Sequence, residues 1–216
     1  MTALPAPGAA LAPLPRAFYE RPTEAVARDL LGKVLVRRLG RRVRRARIVE
    51  VEAYLGERDA ASHARSGPTP RSAIMFGPPG FLYVYFIYGM HHCMNFVTET
   101  DGVAGAVLIR AAEPLDGGHP ADLRGPAKLC DGLGITLADK GTDLTRPSAG
   151  LTVIDDGCVV PRIARSPRIG VDYAGRWAAR HLRFYIPKHA SVSGPRAGRP
   201  RSVGRSVGRS VRRKLK

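Results

Sequence analysis

VRRLGRRVRRARIVEVEAY, residues 36–54, decides how the chain is read. Seven arginines precede two glutamates set two residues apart. From Ile48 onward the residues alternate with the period of a strand. That spacing predicts Ile48, Glu50, Glu52 and Tyr54 on one face and Val49, Val51 and Ala53 on the other. Like charges on one strand face disfavour each other unless something separates or neutralises them. Two explanations fit the pair. Either twist exposes both carboxylates to nearby arginines, or one of them is a general base in a cleft.

Outward from this strand, PTEAVARDLLGKVLVRRL reads as a helix and then a strand. Thr23 is the N-cap candidate, Ala25, Val26, Leu30 and Leu31 form the apolar stripe, and Gly32 ends the helix. GPPGFLYVYFIYGM reads as a turn, a strand and a glycine break. GVAGAVLIRAAEP is a strand closed by Pro114. GPAKLCDGLGI is a short helix with Pro126 in its first turn. GLTVIDD, RIARSPRIGV and HLRFYIP are further strands. Strands predominate without regular βα alternation. The fold class expected is α+β, a single domain around a curved, mostly antiparallel sheet with a few helices.

The 216 residues suit one domain with some tail, and a 44% hydrophobic fraction suffices for a core. The formal net charge is +17. It points to a polyanionic partner, nucleic acid before an anionic membrane surface. No apolar run approaches the length that spans a bilayer. Residues 1–17 are rich in proline and alanine, lack a basic start and read as a disordered leader rather than a secretion signal. The expected location is therefore cytoplasmic and nucleoid-associated, or nuclear. Residues 18–193 read as globular. Residues 194–216 read as a disordered arginine-rich tail with an SVGR repeat. The tail holds nine of the 35 basic residues, which leaves 26 against 18 acidic ones, a net +8 for the remainder. Two readings of it stand, a solubilising end and a non-specific phosphate-binding arm. Cys93, Cys130 and Cys158 are widely spaced and fit buried thiols rather than a disulfide framework or a CxxC zinc pattern.

Tyr83, Tyr85 and Tyr88 fall within six residues, in a chain with seven tyrosines. They fit either core packing with satisfied hydroxyls or the stacking of nucleobases. His91, His92 and Cys93 resemble metal ligands at first sight, but adjacent strand residues face opposite ways and no second pair stands at ligand spacing. No metal and no cofactor is expected. His63 lies in a polar loop nine residues past Tyr54. A basic surface, a carboxylate beside aromatic rings, and the lack of a P-loop or GxSxG suit one chemistry: attack of water on a glycosidic carbon, with a flipped base held between rings. A non-catalytic basic nucleic-acid-binding protein is the main alternative. A formyl-transfer or other small-molecule enzyme is a second, without a folate or nucleotide motif to support it.

RIVEVEAYLG, the DAASH loop, TPRSAIMFGPPGFLYVYFIYGMHHCMN, AVLIRAAEP, GPAKLC and PRIGVDYAG…LRFYI together resemble the alkyladenine (3-methyladenine type) DNA glycosylase family, from about Phe18 to Ser193. The resemblance implies a monomer without metal that binds duplex DNA and removes alkylated or deaminated purines (3-methyladenine, 7-methylguanine, hypoxanthine, ethenoadenine) without lyase chemistry. It implies Glu52 as the water-activating base and Arg110 as its helper. Tyr54 would stack on one face of the flipped purine, with His63 and Tyr85 on the other. Asn95 would line the pocket against guanine's amine, and Tyr88 would be the wedge in the duplex. The backbone carbonyl near Val171 would be a further water contact. Arg71 and Lys128 would contact phosphate or support loops, and Glu50 would be a structural partner salt-bridged to arginine. The SVGR tail lies outside the family pattern.

Overall fold

The computed structural model describes residues 12–119 and 122–194. Residues 1–11 of the expected leader and 195–216 of the expected tail lie outside the described residues. The described residues begin before Phe18. Pro13 bridges Ile154, and the Leu14 amide donates to the Val153 carbonyl at 2.8 Å. Leu14 thereby joins the core.

Helix α1 (Arg16–Tyr19) leads into α2 (Thr23–Leu30), and Gly32, at φ +87°, turns the chain out of it. Thr23 is not the N-cap. Pro22 holds that position, and the helix start is capped from a distant loop. The Glu99 carboxylate accepts from the Thr23 amide at 2.8 Å and from the Thr23 hydroxyl at 2.7 Å. A carboxylate at a helix N-terminus satisfies free amides and complements the helix dipole.

Eight strands follow: β1 (Val34–Leu39), β2 (Arg42–Tyr54), β3 (Leu82–Ile87), β4 (His91–Val97), β5 (Ala106–Pro114), β6 (Leu151–Ile154), β7 (Ala164–Ser166) and β8 (Arg183–Tyr185). Helix α3 (Pro126–Leu133) lies between β5 and β6, with Pro126 in its first turn. The strands form one curled sheet in the order β3-β4-β5-β2-β1-β6, with β8 added to β2 and β7 to β8. Every named pairing is antiparallel. The α+β expectation therefore holds. RIARSPRIGV, expected as a long strand, contributes only Ala164–Ser166. Pro167 has no N–H to continue a ladder.

Helices α2 and α3 bury their apolar stripes on one face of the sheet, where Leu30, Leu129 and Leu133 meet Ile48, Phe96, Ile109 and Phe184. Tyr83, Met75, Val97 and Ala106 form a second cluster. The loop after β2 is held close to the loop before β5. A Cβ on Gly56, at φ +65°, would stand 2.2 Å from the Ala104 carbonyl oxygen. Gly56→Ala combines left-handed strain with a clash against backbone. It should lower stability by at least about 1 kcal/mol, read as a fall in the urea midpoint at unchanged m-value.

Candidate functional site

The alternation in β2 breaks where the site begins. Ile48 pairs with Ala112, Glu50 with Ala111 and Val51 with Ile109. Val49 on β2 and Arg110 on β5 are each passed over, one extra residue per strand. Such bulges re-aim side chains. Ile48 therefore joins Val51 and Ala53 in the core instead of sharing the face of Glu50 and Glu52, as strict alternation predicted. The freed Val49 carbonyl accepts from the Ile186 amide at 3.0 Å.

The bulged Arg110 lies between the two carboxylates. Its Nε is 3.2 Å from Glu50 Oε1, and a terminal nitrogen is 3.3 Å from Glu52 Oε1. Burial alone would lower the Arg110 pKa, but Glu52 and Glu50 more than offset this and raise it. The guanidinium stays charged.

The two glutamates have different surroundings. Glu50 is held by more donors: Oε1 accepts from Arg183 Nε at 2.6 Å and from the Ser193 hydroxyl at 2.9 Å, besides Arg110, and Oε2 accepts from the Ser193 amide. Glu52 Oε1 accepts from the Ile169 amide at 2.8 Å, and Oε2 accepts only the Tyr54 hydroxyl, at 2.9 Å. A carboxylate oxygen has two lone-pair directions, so Oε2 retains one. Burial, then the Glu52 charge, raises the Tyr54 pKa well above 10, so its phenol remains a donor.

Tyr54, Arg110 and Ile169 all line a cavity of about 340 Å³, within the range of small-molecule sites. Glu52 itself is fully buried one layer behind them. His63, Tyr85, Asn95, Tyr88 and Val171 also line the cavity. The His63 and Tyr85 rings meet edge to face, with centroids 4.6 Å apart. His63 Nδ1 lies 2.8 Å from the Tyr83 hydroxyl. Asn95 is buried and donates to the Tyr83 carbonyl at 3.3 Å. The Val171 carbonyl accepts from the Ala174 amide at 2.9 Å. Arg71 and Lys128 are exposed and outside the lining, with the Arg71 guanidinium 5.1 Å from the Tyr85 ring centroid.

Tyr88 stands at the tip of the β3–β4 hairpin and is 86% exposed. The Met90 amide donates to the Ile87 carbonyl, and Tyr88 and Gly89 have φ of +52° and +67°. This is the mirror-image turn that suits a twisted hairpin. His91 and His92 follow in β4, half-buried and outside the cavity, with His92 against Phe86.

Several lining residues were given no site role by the resemblance. Tyr83 was visible, two residues from Tyr85 and so on the same strand face. Cys93 pairs directly with Tyr85 and also faces the cavity. Cys93 and Cys130 are buried, whereas Cys158 is only partly so, against the expectation of three buried thiols. The largest omission is the segment from Arg168. Arg168 and Asp59 form an ion pair with both side chains at 0% exposure, at 2.5 and 2.8 Å. The Arg168 guanidinium lies 4.5 Å from the Tyr54 ring centroid. This pair fixes both Tyr54 and the amide that holds Glu52.

Burial, then the Arg71 charge, lowers the His63 pKa from 6.5 to about 4. Between these values the unfolded chain binds a proton that the folded chain does not. Stability is therefore complete above about pH 6.5 and declines as pH falls toward 4. In His63→Gln, the drop in Tm between pH 7 and pH 5 should be smaller than in the wild type.

Comparison with known proteins identifies relatives across almost the whole described chain. The family model described as methylpurine-DNA glycosylase matches residues 17–190. A protein of Methanocella arvoryzae is 50% identical over 192 residues, covering 83% of this chain and 95% of the relative. One of Myxococcus xanthus is 50% identical over 190 residues, covering 86% and 96%. One of Anaeromyxobacter dehalogenans strain 2CP-C is 54% identical over 185 residues, covering 84% and 87%. Each carries the name "Putative 3-methyladenine DNA glycosylase".

Proposed function

Because the chain belongs to the methylpurine-DNA glycosylase family, DNA-repair hydrolases that act on the N-glycosidic bond, we propose that it excises alkylated and deaminated purines from duplex DNA by base flipping, with Glu52 activating the water. One observation carries this reading. Glu52 is held by Tyr54, Ile169 and Arg110, all in the wall of an aromatic cavity, and keeps one lone-pair direction on Oε2.

Tyr88, exposed at the hairpin tip, fills the gap that the extruded nucleotide leaves. The purine enters between Tyr54 on one side and His63 with Tyr85 on the other. Aromatic faces bind any purine, and stacking contributes roughly 1–3 kcal/mol per base. Asn95, fixed by the Tyr83 carbonyl, stands against a guanine amine. A water bound at Glu52 Oε2 gives up its proton as it attacks C1′, and the purine departs with the bonding electrons. 3-Methyladenine and 7-methylguanine are cationic in the nucleotide and leave as neutral bases, whereas hypoxanthine and ethenoadenine start neutral and must take up a proton to leave as neutral bases. Arg110, buried between Glu50 and Glu52, offsets their like charges, keeps the two carboxylates in place and helps hold the water with Glu52.

No lysine lines the cavity among the described residues, which supports direct hydrolysis without a Schiff base. No described helix is long and apolar enough to cross a membrane. The duplex is the substrate, and one chain supplies every residue named. The test is single-turnover base release from duplexes carrying hypoxanthine, ethenoadenine or 7-methylguanine, with borohydride present in a parallel reaction. Release without a trapped protein–DNA adduct is expected. Tight binding that ignores the lesion and yields no release would overturn the reading in favour of a non-catalytic binder.

A further inference from the structure

Among the described residues, only two aromatic side chains of the cavity lining stand mostly in solvent. Tyr88 is 86% exposed and Tyr173 is 73% exposed. Tyr88 belongs to the β3–β4 hairpin. Tyr173 belongs to a separate segment, Asp172–Trp177, two short 3-10 turns that meet at a kink over Ala174 and Gly175. Large exposed apolar side chains elsewhere, such as Val103 and Val159, lie outside this cavity.

The backbone that presents Tyr173 is firmly anchored on both sides. Val171 before it and Ala174 after it are buried and pack with Ala61 in a small cluster of their own. The Ala174 amide closes the turn onto the Val171 carbonyl. Upstream, Arg168 is locked to Asp59, and the Ile169 amide is bound to Glu52. Tyr173 itself is outside the cluster, so its ring adds nothing visible to the packing. A rigid base that pushes an amphipathic ring into water at a cavity mouth is the arrangement of a preformed contact.

We propose that Tyr173 is a second DNA-contacting ring of this site and packs against the nucleotide of the damaged strand next to the extruded one. The argument is one of position. The buried lining residues enclose the purine, and what stands exposed at the rim meets the chain from which that purine came. Two rings from separate segments then hold the distorted duplex, Tyr88 in the gap and Tyr173 beside it. This rests on the excision reading above for the identity of the ligand as lesion-bearing duplex.

The test is Tyr173→Ala and Tyr173→Phe in the full chain, with a hypoxanthine duplex that carries 2-aminopurine beside the lesion. Stacking energies correspond to a change in affinity of roughly 5- to 140-fold. Tyr173→Ala should weaken binding to this duplex at least about fivefold and diminish the 2-aminopurine change on binding. Tyr173→Phe should restore both. Tm should not move, because the ring is outside the packed cluster. Unchanged affinity and fluorescence in Tyr173→Ala would overturn the proposal. So would a normal affinity with a reduced saturated rate, which would place the ring in the chemistry. If wild type releases no base yet Tyr173→Ala still weakens lesion binding selectively, the contact stands and the excision reading falls.

Discussion

Glu52→Gln should lose base release while keeping the fold and the duplex affinity. The expected fall in the single-turnover rate is on the order of 10²–10⁴-fold, the usual contribution of a positioned general base. The substitution is nearly isosteric. An amide can still accept from the Ile169 N–H and meet the Tyr54 hydroxyl, so the local hydrogen bonds survive. What it lacks is the ability to take a proton from water. Glu50 is not placed to replace it, because Arg183 and Ser193, which hold it along with Arg110, lie outside the cavity lining, whereas all three partners of Glu52 line it. Release should fall for neutral and cationic lesions alike, since both need the water. A variant that still releases hypoxanthine at the wild-type rate would remove Glu52 from the reaction. Duplex affinity measured at one fixed salt concentration separates lost chemistry from lost binding.

The glutamate pair shows how far local sequence reasoning reaches. The strand, the shared face of Glu50, Glu52 and Tyr54, and the need for an arginine partner all followed from a seven-residue pattern. The paired bulges did not, because a skipped register leaves no mark in alternation over so short a run. They moved Ile48 into the core and turned Arg110 between the carboxylates. The cap on α2 was equally illegible, since Glu99 reaches Thr23 across 76 positions. Pattern rules register neighbours at spacings of two, three or four. Tyr83 lay within that range and was read, with Tyr85 and Tyr88, as a core or stacking ring. Tyr173 and the Ile169 amide did not, because their meaning depends on which loop folds against β2. Resemblance to a family supplied most of the other cavity residues, and the geometry gathers Tyr54, His63, Tyr85, Asn95, Tyr88 and Arg110 around one space.

Asp59→Ala should be the most destabilising single change near the site. Asp59 is fully buried, and four groups depend on it: the Leu55 and Ala61 amides and two nitrogens of Arg168. Arg168 is also fully buried at the side chain, and its Nε has no hydrogen-bond partner. Removing the carboxylate leaves a guanidinium without a counter-charge, which costs about 3–5 kcal/mol. Against a total of roughly 5–15 kcal/mol, that is a large share. At about 2–4 °C per kcal/mol for a domain of this size, Tm should fall by roughly 6–20 °C. The double variant Asp59→Ala/Arg168→Met separates two roles. It removes the unpaired charge and leaves an apolar chain over the Tyr54 ring, so it should recover much of the lost stability. It cannot restore the clamp that sets the Ile169 amide on Glu52. The double variant should therefore be folded and bind duplex DNA, yet release bases more slowly than wild type. If Asp59→Ala lowers Tm no more than a surface substitution does, the pair is solvated in solution. If the double variant matches the wild-type release rate, the ion pair serves only the fold, and the Ile169 amide is held on Glu52 by the cluster of Ala61, Val171 and Ala174 alone.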